Sequence, residues 1–206
     1  MFTARKTTLA ASALLLLSLA ACTGGGGGDG GGSGSGGSED PAGASGSTEC
    51  VSGKTWVLDL ADSASQLGTQ LASSGMNVTQ SEGAGRQDFT FSEDGMVAAH
   101  IDVTYTITIV NDDLTMTLVQ THGGDPSGEW AWQGDSDSDI VFSNWDNAGY
   151  SVQNQFIING TASENNMTVP SEDLGDGSVM TVDCSGSTLT TKVTGSPFTQ
   201  HWAAEG

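Results

Sequence analysis

Apolar and polar residues alternate one by one over long stretches of this chain, and that period of two constrains its fold more than any other feature. Ile101, Val103, Tyr105, Ile107 and Ile109 fall on one side of an extended chain, and Asp102, Thr104, Thr106 and Thr108 fall on the other. Leu114, Met116 and Leu118 then alternate with threonine, and Trp130 and Trp132 share a face. Further runs cover residues 88–91, 140–145, 150–158, 178–184, 188–193 and 198–202. Turn formers separate them at Ser92-Glu93-Asp94-Gly95, at Asn111-Asp112-Asp113 and across the glycine-rich loop 123–128. One segment has helical spacing instead: Ala64, Leu67, Leu71 and Ala72 recur on one face, Asp62 or Ser63 is placed to cap it, and Gly75 stands where a helix ends. About ten short strands and one helix predict an all-β fold, an antiparallel meander closed into a barrel of about 8–10 strands, because closure leaves no unpaired edge. A two-sheet sandwich is the competing architecture.

Residues 1–21 read as an export signal. Arg5 and Lys6 precede an uncharged run from Leu9 to Ala21, centred on Leu14-Leu15-Leu16-Leu17. Crossing a bilayer takes about 20 apolar residues, so this run is too short to span one. It ends Leu19-Ala20-Ala21-Cys22, which resembles the lipobox of bacterial lipoproteins. The resemblance implies a diacylglycerol on the Cys22 thiol, cleavage just before Cys22, and a protein held in the cell envelope outside the cytoplasm. The holding membrane is then the outer leaflet of the cytoplasmic membrane or an outer membrane. Two or three acyl chains anchor stably where one is marginal. Residues 22–49 form a tether: beyond Cys22 it is almost entirely Gly, Ser, Asp, Glu, Ala and Thr, cannot bury apolar surface, and spans ~25–30 Å as a flexible coil. Residues 50–206 form the folded domain.

Loss of residues 1–21 removes Arg5 and Lys6, leaving Lys54, Arg86 and Lys192 against 25 acidic residues and a formal charge of −22. Nucleic acid is excluded as a partner, since it needs a basic footprint. An acidic surface keeps the molecule soluble, suits a saline habitat, and attracts cations such as calcium. With Cys22 lipidated, Cys50 and Cys184 remain. In an oxidising compartment their one possible pairing closes a loop of about 135 residues and is worth on the order of 5 kcal/mol. Two buried thiols are the alternative.

Gly53-Lys54-Thr55-Trp56 on the first strand, the helix after it and the long meander together resemble lipocalin-like barrels of bacterial envelope lipoproteins. The resemblance covers residues 50–206, with two residues between Gly53 and Trp56 where lipocalins proper have one. A barrel of about eight strands has room for one small ligand. The expected function is therefore binding of a small apolar or amphipathic molecule, with Trp56, Trp130, Trp132 and Tyr105 as candidate lining residues. A solid barrel that displays loops to a protein partner is the alternative.

Motifs for chemistry are sparse. Asp135, Asp137 and Asp139 alternate as in the opening of a calcium loop, but Ile140 and Asp146 stand where an EF-hand needs glycine and glutamate, and a hairpin turn is expected there. Trp145, beside Asp146 and Asn147, is placed to stack on a sugar ring. His100 lies two residues from Asp102 on a polar face, the one hint of a surface hydrolase; His122 and His201 stand apart. No Gly-x-Ser-x-Gly, His-x-x-x-His or Cys-x-x-Cys is present. No catalytic residue, metal site or cofactor is assigned, and the chain reads as a non-enzyme.

Overall fold

Alternating sequence becomes antiparallel strand throughout. The computed structural model describes residues 48–147, 149–163 and 174–206; the expected signal segment, Cys22 and the tether as far as residue 47 lie outside them. In chain order the elements are α1 (Thr48–Val51), β1 (Lys54–Leu58), α2 (Leu60–Ser73), β2 (Val78–Phe91), β3 (Met96–Asn111), β4 (Leu114–Gly124), β5 (Ser127–Trp132) and β6 (Asp139–Asp146). They continue with β7 (Ser151–Ile158), β8 (Thr161–Ser163), β9 (Val179–Ser185), β10 (Thr188–Val193) and β11 (Gln200–Ala204).

Eight strands close into a barrel in the order β1-β2-β3-β5-β6-β9-β10-β11, and β11 returns to β1 with Trp56 opposite Ala204 and Leu58 opposite Trp202. The ring follows chain order, so it is the expected meander, and the sandwich is ruled out. The other three strands branch from it. β2 and β3 run past the barrel, and their outer lengths join β4, β7 and β8 in a wing. β4 and β5 lie end to end along β3, and the break between them falls at Asp125-Pro126. Pro126 has no N–H to donate to a ladder, while its carbonyl accepts from Ala99 N at 2.8 Å. The chain thus leaves the wing and enters the barrel at the residue least able to continue a strand.

Three local features differ from the sequence expectation. Helix α2 starts earlier, with Asp59 as its cap: the Asp59 carboxylate accepts from Asp62 N at 3.0 Å, which places Asp62 and Ser63 inside the first turn. Strand β2 begins at Val78, well before the expected run at 88–91: its polar and glycine-rich first half lacks the apolar alternation of its partner β3 yet pairs with it, with a register shift between Val78 and Gln80. Thr48 and Glu49, expected at the end of the tether, open helix α1.

The barrel has a filled end. Trp56, Phe91, Phe142, Ile140 and Leu189 are fully buried there. Helix α1 lies across this end: Cys50 is disulfide-bonded to Cys184 of β9, Val51 O accepts from the indole of Trp56 on β1, and Thr48 Oγ1 accepts from the indole of Trp132 on β5. Those partners stand on different sides of the ring. A second core forms where Leu67 and Leu71 of α2 pack on Ile107, Ile109, Leu118 and Phe156 of the wing.

Candidate functional site

At the opposite mouth of the barrel the described residues leave the core unfilled. A cavity of about 140 Å³ lies between the barrel, the wing and helix α2. Its apolar wall includes Phe89, Ile101, Met180, Val193 and Phe198; its polar wall includes Tyr105, Gln87, Gln120, His122 and Gln200. No Asp, Glu, Lys or Arg is among its described lining residues, although the chain carries 25 acidic side chains. In volume it matches a single ring or a short alkyl chain.

The elements hold these side chains for identifiable reasons. Gln120 and His122 continue the series Met116 and Leu118 on β4, so the strand's own alternation points them at the covered face of the wing. Trp145 enters through an irregular stretch of β6, where Asn144 has φ 50° and the register with β5 shifts. Its ring lies over Gly128, where a Cβ would come within 2.8 Å of Trp145 Cε3. Its indole donates to Asn147 Oδ1 at 2.7 Å, and its backbone N donates to Asp176 at 2.7 Å. Helix α2 is fastened over the mouth by Gln66, which donates to Thr199 O and accepts from Thr199 N at 3.0 Å. His201 adds an N–H to Asp62 at 2.8 Å. That bond holds the Asp62 carboxyl below its usual range, outweighing the opposing effect of partial desolvation, and Gln66 acts in the same direction as His201.

The amides are oriented by their neighbours. Gln120 is only 3 % exposed; its Nε2 donates to Asn154 Oδ1 at 3.0 Å, and among the described residues nothing donates to its Oε1. The buried Trp202 indole donates to Thr191 Oγ1 at 2.9 Å, and that hydroxyl donates to Gln200 Oε1 at 3.4 Å. This relay leaves Gln200 Nε2 as the free end. His122 Nδ1 and the Tyr150 hydroxyl share a hydrogen bond of 3.0 Å.

Of the four expected lining residues, Tyr105 borders this cavity. Trp56 and Trp130 are buried in the filled part of the barrel, and Trp132 packs edge-on against Trp130 at a centroid distance of 6.0 Å. Asp135 and Asp137 are exposed in the β5–β6 turn, whereas the Asp139 carboxylate accepts hydroxyls from Ser136 and Thr181. Among the described residues no group of three or more His, Cys, Asp and Glu gathers at metal-binding range. His100 bonds to Asp125 at 2.7 Å instead of the expected Asp102. The glutamines were missed, though a polar residue at the apolar phase of β4 was a readable signal at Gln120.

No protein-family model matches the chain, and no curated protein or solved structure does either. The fold and the site define it as an all-β barrel, filled at one end, with a cavity at the other whose described lining holds no Asp, Glu, Lys or Arg.

Proposed function

We propose that this protein is a lipid-anchored binding module of the cell envelope, whose barrel mouth takes a small uncharged molecule with an apolar body. The observation that carries the reading is the cavity's lining: aromatic and aliphatic walls, a few oriented amides and, among the described residues, no Asp, Glu, Lys or Arg in a strongly acidic protein. Binding sites are commonly apolar clefts with a small number of placed polar groups. The lipobox-like Leu19-Ala20-Ala21-Cys22 supports the anchor, and the filled end limits the ligand to one mouth.

The test is titration with N-phenyl-1-naphthylamine, a neutral fluorophore that brightens in apolar surroundings. Saturable brightening is expected, with affinity falling about tenfold in Trp145→Ala, as loss of about 1.4 kcal/mol of aromatic contact requires. Absence of saturable binding, or equal affinity in Trp145→Ala, would overturn the proposal.

A further inference from the structure

We infer that the cavity selects ligands whose polar group is neutral and both donates and accepts hydrogen bonds, a primary amide or a hydroxyl, and rejects the matching carboxylate and ammonium. This deepens the binding reading above and rests on it.

Three glutamines carry the inference. Gln120 is almost wholly buried, its Nε2 is committed to Asn154, and its Oε1 stands as an acceptor at the cavity wall. Gln200 is committed the other way: the Trp202–Thr191 relay occupies its Oε1, so its Nε2 stands as a donor. Gln87, on β2, has both ends of its amide unengaged among the described residues. The wall therefore offers donors and an acceptor together and, among the described residues, no Asp, Glu, Lys or Arg.

A ligand must answer both kinds. A carboxylate has only acceptors, so it would set an anionic oxygen against Gln120 Oε1; an ammonium has only donors and would leave Gln200 Nε2 unmet. An amide or hydroxyl satisfies both. Leaving a buried polar group unpaired is what lets such a site discriminate strongly. No lysine or arginine is among the described lining residues to rescue an anion. Arg86 is engaged by Asp88 and Glu205, Lys54 donates to Gly186 O at the filled end, and Lys192 points outward on β10. Net charge opposes the anion further.

The experiment is displacement of N-phenyl-1-naphthylamine from the mature protein by octanamide, 1-octanol, octanoate and octylammonium at pH 7.5, which share one tail. Octanamide and octanol are expected to bind at least about tenfold more tightly than either ion. In Gln120→Met the preference for octanamide over octanoate should fall to within about threefold, each displacement being referred to that variant's own fluorophore affinity. Gln87→Met, at a half-buried position, repeats the measurement should Gln120→Met fail to fold. Equal displacement by all four ligands would overturn the inference while leaving the binding function intact. Tighter binding of octylammonium would also overturn it, by showing that the molecule's overall charge governs choice. Loss of fluorophore binding by the wild-type protein would instead remove the binding function itself.

Discussion

Asp62 links helix α2 to β11, and its ionisation sets part of the acid stability. Its folded pKa lies below the ordinary aspartate value, chiefly through the hydrogen bond from His201. A group with a depressed folded pKa favours the folded state fully above its unfolded value, and that contribution is lost as pH falls through the folded value. The expected result is that the wild-type protein loses stability more steeply than Asp62→Asn below about pH 4, with parallel behaviour near neutrality. Urea unfolding at several pH values checks this; parallel acid limbs would show that the bond has no such role. Residue pairing was partly legible in the sequence. His100 and Asp102 are alternate residues on one strand, roughly 7 Å apart, whereas Asp125 follows Gly124, the last β4 residue paired with β3, and reaches His100 at 2.7 Å from the neighbouring chain. A lone strand displays its alternate residues and hides its opposite number. Gln120 was legible as an exception, since a polar residue at an apolar phase needs a partner, but the identity of that partner, Asn154, depends on β7 lying beside β4.

At the scale of elements, the least readable strand is the one that seats the helix. β2 carries Gly83 and Gly85 among polar residues, which breaks its alternation in the sequence. In the structure a Cβ at Gly83 would come within 2.6 Å of Leu60 O at the start of α2, so the glycine exists to let the helix approach the sheet. Gly68 on the helix makes a matching close approach to Ser81. Gly83→Ala is expected to destabilise the protein by about 1–3 kcal/mol through forced repacking. Because α2 supplies Ser63, Gln66 and Leu67 to the cavity, fluorophore affinity should fall with it. Thermal melting and titration on the same sample check both; an unchanged melting temperature would show that α2 yields freely. Helix α1 offers the contrasting case. The Cys50–Cys184 bond fastens it at the filled end, away from the cavity. Replacing both cysteines with serine is expected to cost about 2–5 kcal/mol in urea unfolding, mostly through the freed unfolded chain, while fluorophore affinity below the transition stays as it was. A matching fall in affinity would mean that the two barrel ends are coupled.

For the whole molecule, the meander was legible because turns and alternation recur in chain order, and the ring of eight strands keeps that order. The wing was not legible, because β4 and β7 alternate as well as any barrel strand does. Whether a strand joins the ring or branches from it depends on which half of long β3 it meets, a long-range choice made at Asp125-Pro126. Among the described residues, both hydrophobic cores are built between Cys50 and Ala204. The proposed anchor would rest on Cys22, since the formal charge of −22 left by the proposed cleavage would repel anionic lipid. Cys22→Ala should therefore move the protein from the membrane pellet to the soluble fraction while its melting temperature and fluorophore affinity match those of the detergent-extracted wild type. Retention of Cys22→Ala in the pellet would place the membrane contact in the folded domain, and a lowered melting temperature would mean that the tether takes part in the fold.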